Sequence, residues 1–188
     1  MTEFTTHKID TAPEASKPLI EGAKQAYGFL PNLLGNMAES PALLEGYLSL
    51  AGIFDKSNLS ETERQIILLT NNRLNGCAYC MAAHTSISQM KNVPSDVIEA
   101  LRNDTPIADP KLEALRQFAQ IVNVKRGWPE ESEIEAFLNA GYTRQTILEV
   151  ILGTSLKVMS NYTNHIAKTI VDDAFAPNTW TQSPTQVA

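Results

Sequence analysis

An all-α fold is what the sequence predicts, on three observations. Apolar residues recur at helical spacing along nearly the whole chain, no extended alternating run marks a strand, and helix-starting and helix-stopping residues fall between the apolar runs. At 188 residues, with 43% hydrophobic and 19% charged, the chain suits one compact domain that buries a core without metal or disulfide staples. Its expected divisions are an N-terminal arm at 1–15, a helical domain at 16–175 and a C-terminal tail at 176–188.

Taken in order, the first helix covers Ser16 to Tyr27, with Leu19, Ile20, Ala23 and Tyr27 on one stripe and Gly28 closing it. A turn starting at Pro31, a favoured first helical position, carries Asn32-Leu33-Leu34. Pro41 opens a helix that runs to about Phe54 and stops at the polar Asp55-Lys56-Ser57-Asn58. Ser60-Glu61-Thr62-Glu63 has the form of a capping box, in which Ser60 and Glu63 each satisfy an orphan backbone N–H, and the helix behind it extends to about Leu74. Asn75-Gly76 turns the chain, and helical character resumes from Cys77 to about Met90, so Cys77 falls at a helix N-terminus. Pro94-Ser95-Asp96 and Asp109-Pro110 open two more helices, and Pro129-Glu130-Glu131 opens a third that ends at Gly141. The last pattern starts near Thr143 and runs through Ile147, Ile151, Leu156 and Met159, with a bend expected near Gly153 or Ser160. From Ala176 onward Pro, Thr and Gln replace any apolar period, and only contacts such as Trp180 on a neighbouring subunit would order that tail.

A formal net charge of −6 without a basic stripe counts against nucleic acid as a partner. The first ten residues have no apolar leader, and no later stretch is apolar enough to span a bilayer, so a cytoplasmic protein without a membrane partner is expected.

The two cysteines stand three apart in Cys77-Ala78-Tyr79-Cys80, and His84 follows four residues after Cys80. At about 100° per residue, positions i, i+3 and i+7 share one helix face. One helical turn also holds two Cα atoms within reach of a disulfide. A thiol at a helix N-terminus feels unpaired N–H groups that favour its anion, and an imidazole at i+4 can approach the sulfur as base or cation. A thiolate so activated attacks a peroxide O–O bond to give a sulfenic acid, which the second cysteine condenses with. Two competing readings stay open at this point: cysteines simply packed in a core, and zinc held by Cys77, Cys80 and His84. Zinc lacks a fourth ligand, since no further cysteine exists and His7 and His165 are remote in sequence. Haem attachment fails because Met81, not histidine, follows Cys80.

Gln65-Ile66-Ile67-Leu68-Leu69, followed by Asn75-Gly76-Cys77-Ala78-Tyr79-Cys80 and His84, resembles the AhpD-like alkylhydroperoxidases of the carboxymuconolactone decarboxylase superfamily. The late Asn161-Tyr162-x-Asn164-His165 segment is similar to peroxidase-related members. The resemblance implies an AhpD-like helical bundle that forms homo-oligomers, with the Cys-x-x-Cys motif at a helix N-terminus. It implies a peroxidase without metal or organic cofactor, in which Cys80 becomes the sulfenic acid, Cys77 resolves it and His84 helps to deprotonate the thiol. The substrate would be a small hydroperoxide and the reductant a lipoyl-type or thioredoxin-type dithiol. Where the family has a glutamate that assists the histidine, this chain has Gln65, which hydrogen-bonds but does not accept a proton as a carboxylate does. Gln65 is therefore expected to line the site, Glu63 is a candidate replacement carboxylate, Tyr79 is expected at a subunit contact and His165 is a second candidate. The rival readings are a protein-disulfide reductase, a non-enzymatic thiol switch and a lactone decarboxylase, the last disfavoured because its proton-transfer chemistry needs no redox pair.

Overall fold

A computed structural model describes residues 3–182, and among them every regular element is helical. The α-helices are α1 Lys17–Tyr27, α2 Asn32–Met37, α3 Pro41–Phe54, α4 Glu61–Leu74, α5 Ala78–Met90, α6 Ser95–Asn103, α7 Pro110–Val124, α8 Glu131–Asn139 and α9 Arg144–Ala167. Short 3-10 turns precede α1 and follow α9, the second at Asp173–Asn178. No helix among the described residues is long and apolar enough to cross a membrane.

The expected boundaries hold closely because the local signals are physical. Gly28 ends α1 in the left-handed conformation at φ +78°. Ser60 and Glu63 form the reciprocal capping box, with Ser60 N donating to Glu63 Oε2 at 2.8 Å and Glu63 N to Ser60 Oγ at 3.3 Å. Helix α9 runs unbroken through Gly153 and Ser160. Gly153 serves close approach. A Cβ there would stand 2.7 Å from Ile67 Cγ2 and 2.9 Å from the Phe54 ring, so the bare backbone lets α9 lie against α3 and α4.

Helix α4 is the hub, packed by α5, α6, α7 and α9, and its residues 65–73 are buried. Two apolar clusters result. One joins α4, α6, α7 and α8 and includes Ile66, Ile67, Leu101, Leu115 and the parallel-stacked rings of Phe118, Phe137 and Tyr142. The other gathers Ile20, Leu33, Leu34, Met37 and Leu44 from α1 to α3 around Cys77, Tyr79, Cys80 and Phe175. The cysteines thus belong to the second cluster, beside the helix that fills the first.

The C-terminal segment is ordered through residue 182 by its own chain. Trp180 Nε1 donates to Arg102 O at 3.1 Å, Arg102 donates to the carbonyls of Asn178 and Thr179, and Asn178 bonds Ser86 and Gln89 of α5. Trp180 therefore needs no neighbouring subunit to be placed, and its indole packs against the larger apolar cluster. The rest of the expected tail, 183–188, and the first two residues of the arm lie outside the described residues.

Candidate active site

The turn between α4 and α5 sets the cysteines. Gly76, at φ +67°, closes α4 in a Schellman motif: its N–H donates to Arg73 O at 3.0 Å and the Cys77 N–H donates to Asn72 O at 2.9 Å. The residue after that glycine is at once the N-cap of α5. Cys77 Sγ takes the capping role, accepting the Cys80 N–H at 3.4 Å. The two cysteines, both reduced, come within 3.3 Å of each other and are 1% and 2% exposed.

Helix α9 supplies the opposite wall. Asn164 Nδ2 donates to Cys80 Sγ at 3.1 Å and to Cys77 Sγ at 3.6 Å, and Ser160 Oγ lies 3.9 Å from Cys80 Sγ. Behind them runs a ladder of neutral amides. Asn123 bonds Asn71 and Asn75, Asn75 bonds Asn161, Asn161 bonds Asn72, and Asn72 Nδ2 donates to the Cys80 carbonyl at 3.2 Å. The amides satisfy one another, which is what makes so much buried polarity tolerable next to an apolar cluster.

A second chain of bonds leads away from the sulfurs. Lys157 Nζ donates to His84 Nε2 at 3.0 Å, His84 Nδ1 donates to Gln65 Oε1 at 3.0 Å, and Gln65 Nε2 donates to Glu61 Oε1 at 2.9 Å. The direction is forced, because an ammonium can only donate and the Gln65 amide nitrogen is spent on a carboxylate. Burial, reinforced by the Lys157 charge, holds the His84 imidazole well below its ordinary range, so it is neutral.

The sulfurs are tuned apart. Burial pushes the Cys80 thiol up, but the hydrogen bond with Cys77, the Lys157 charge and the polar groups of Ser160 and Asn161 more than offset it and bring it well below the usual thiol range. Cys77 is pushed up by its bond with Cys80, by burial and by the Cys80 charge. Both shifts favour the anion on Cys80 over Cys77.

Cys80, His84 and Lys157 open on a cavity of about 430 Å³ whose walls are largely apolar and include Tyr27, Phe29, Tyr47 and Phe175. Cys77 is not among its walls. Residues 41–120, which carry the Cys-x-x-Cys turn and both helices around it, match the model of the carboxymuconolactone decarboxylase family. Over those residues the chain is similar to that family, and its fold is AhpD-like. No curated protein sequence matches the chain. Three solved structures illustrate the AhpD-like fold. A peroxidase-related protein with an alkylhydroperoxidase AhpD core from Ralstonia eutropha JMP134 superposes with a TM-score of 0.79 at 20% identity, over 92% of this chain and 93% of that one. A peroxidase-related protein from Silicibacter sp. TM1040 gives 0.78 at 20%, over 93% and 95%. The debrominase Bmp8, as a cysteine-to-alanine variant in complex with 2,3,4-tribromopyrrole, gives 0.78 at 18%, over 95% and 96%.

Within this AhpD-like frame the structure brings Cys77, Cys80, His84 and Gln65 together. Both ring nitrogens of His84 are engaged, by Lys157 and Gln65, so its hydrogen bonds do not go to a sulfur. Glu63 stays in its capping box, away from the cysteines, and the carboxylate behind Gln65 is Glu61, itself bonded to Arg64. Tyr79 is a cavity wall rather than an exposed contact: it is buried, its hydroxyl donates to Asp172 Oδ2 at 2.6 Å and its ring meets Phe175 edge-on. His165 is exposed, and its neighbour Asn164 reaches the sulfurs. Among the described residues no group of three or more His, Cys, Asp or Glu side chains could hold a metal ion. Sequence reasoning missed Lys157, Ser160, Asn161 and Asn164. Their signal was present: positions i, i+3, i+4 and i+7 form one polar face of α9.

Proposed function

We propose that the protein is a thiol-dependent peroxidase that reduces small hydroperoxides in antioxidant defence, with Cys80 as the attacking thiolate and Cys77 as the resolving thiol. The observation that carries this reading is the split between the two sulfurs: the acidified one opens on the cavity and the other stands behind it within bonding reach. Thiolate attack on the hydroperoxide cleaves the O–O bond, leaving Cys80 as a sulfenic acid and releasing an alkoxide that takes up the proton the thiol gave away. Condensation of the Cys77 thiol with the sulfenic acid forms the disulfide and expels water. A dithiol then returns two electrons and two protons and is itself oxidised to a disulfide, so the sum is ROOH plus dithiol giving ROH, water and disulfide. Lipoyl-type or thioredoxin-type dithiols have the required chemistry.

The aromatic walls of the cavity support a second reading, reductive dehalogenation, because the AhpD-like debrominase binds a flat halogenated ring. There the same cysteine pair would supply two electrons, an aryl bromide and two thiols giving the arene, hydrogen bromide and a disulfide.

Stopped-flow oxidation with intact mass distinguishes the readings, using wild type, Cys77→Ser and Cys80→Ser. Cys77→Ser is expected to stall as a sulfenic acid on Cys80 after one equivalent of cumene hydroperoxide, and Cys80→Ser to be inert. Reaction with peroxide no faster than that of free cysteine ends the peroxidase reading, and bromide release from 2,3,4-tribromopyrrole would then install the second.

A further inference from the structure

Lys157 is 1% exposed in the middle of α9, and its side chain hydrogen-bonds to the neutral His84 ring. Among the described residues no carboxylate lies within ion-pairing distance of it. Glu61, at the far end of the bonded chain, is separated from it by an imidazole and an amide, neither of them charged. A buried ammonium without an anion is among the more costly arrangements a fold can contain. Lys157 and Cys80 line the same cavity.

We infer that Lys157 is the counter-ion of the Cys80 thiolate, and that this ion pair, present only in the reduced protein, makes the Cys77–Cys80 disulfide strongly oxidising. The inference rests on the peroxidase reading only for the use to which the thiolate is put.

The other titratable groups around the sulfur do not compete for the role. From α5, Cys77 is a thiol, Tyr79 is a phenol bonded to Asp172, and His84 is neutral and held by Lys157. From α3, Tyr47 is a phenol whose ionisation burial and the Cys80 charge oppose. The remaining α9 groups at the sulfurs, Ser160, Asn161 and Asn164, carry no charge. Lys157 is therefore the cation of the set, and the Gln65–Glu61 chain orients it through His84 without giving it a charged partner.

Oxidation consumes the thiolate and leaves the ammonium facing two neutral sulfurs. The reduced state gains what the disulfide state forfeits, the same logic by which a stabilised thiolate raises the potential of a redox pair. For each pH unit by which Lys157 acidifies Cys80, the equilibrium at neutral pH shifts about tenfold toward the reduced form. His84 plays a positioning part here, acting on the sulfur through Lys157.

The test uses the full chain as wild type, Lys157→Met and Lys157→Arg, and requires no peroxide. Thiolate is followed by absorbance near 240 nm and by alkylation rate against pH, and the disulfide is equilibrated against graded reduced and oxidised glutathione. Lys157→Met is expected to move the thiolate titration up by at least about one unit and to make the disulfide about tenfold or more harder to reduce. Lys157→Arg, which keeps the charge, is expected to restore most of both. Unchanged titration and equilibrium in a folded Lys157→Met protein overturn the inference while leaving the peroxidase reading intact. Should Lys157→Met not fold, Lys157→Gln serves in its place, and His84→Gln, which loosens Lys157, is expected to shift the titration the same way by a smaller amount. No shift in either overturns the inference equally.

Discussion

At the scale of single residues, Asn164 spans both sulfurs with one amide nitrogen, and its carbonyl oxygen is buried without a partner. A donor held that way toward an anion is worth about 1.5–3 kcal/mol. Asn164→Leu is thus expected to raise the Cys80 titration by about one unit or more and to slow alkylation at pH 6 by at least about twofold, as measured by iodoacetamide kinetics. Asn164→Asp, which adds a negative charge beside the sulfur, is expected to slow it further. Two depressed groups also make stability depend on pH in the same direction. His84 refuses a proton in the fold, so below the ordinary imidazole value of about 6.5 the unfolded chain binds one more proton and stability falls with pH. Cys80 is ionised in the fold, so between its lowered value and the ordinary thiol value of about 8.5 the unfolded chain again binds more, and stability rises until that value is passed. Urea midpoints of the reduced protein are expected to climb from pH 5 to about 8, the raised Cys77 thiol reversing the trend above the ordinary thiol value. His84→Gln flattens the acid part of that climb and Cys80→Ser the neutral part.

Among the elements, α9 departs furthest from an ordinary amphipathic helix. It turns Lys157, Ser160, Asn161 and Asn164 inward and presents Leu148, Ile151, Val158, Tyr162 and Ile166 to the outside. Its approach to α3 and α4 hangs on Gly153. A methyl at that position meets Ile67 and Phe54 at under 3.0 Å, and over-packing of this kind costs about 1–3 kcal/mol. Gly153→Ala is accordingly expected to lower the melting temperature by about 2–4 °C for each kcal/mol lost, and an unchanged melting curve would contradict the close approach. The same helix shows why the site was only partly legible in the sequence. Caps and stops were readable because each is a local bond: Gly28, Ser60 with Glu63, and Asn75-Gly76 all act within a few residues. Cys77, Cys80, His84 and Gln65 were readable from spacing on neighbouring helices and from likeness to a motif. Lys157 was not, because a lysine between apolar residues reads as a solvated charge unless the far wall of the cavity is known. His84 was placed correctly and its partner wrongly, since a wheel gives the face of a helix but not what crosses to it from α9. Glu63 and Glu61 lie two residues apart, and only the capping geometry separates the one that closes a helix from the one that backs Gln65.

For the molecule as a whole, an apolar stripe running most of the length of a 24-residue helix is a surface that a solitary chain seldom leaves uncovered. A second copy of this chain is the expected cover, in keeping with the oligomers that the family resemblance implies. Light scattering after gel filtration is expected to give a multiple of the 20.7 kDa chain mass, and Ile151→Glu with Ile166→Glu to reduce it to the monomer with helicity retained. A wild-type monomer at tens of micromolar would argue against that cover. The cavity walls, drawn from α1, α2, α3, α5, α9 and the C-terminal 3-10 turn, impose a further condition on the proposed turnover. Cys80 lines the cavity and Cys77 does not, so in the proposed peroxidase cycle oxidant and reductant visit the same atom through the same opening. Neither can wait there while the other is bound. Substrates then take turns, giving ping-pong kinetics with parallel double-reciprocal lines, and a crowding excess of either one slows the enzyme by holding the doorway against the other.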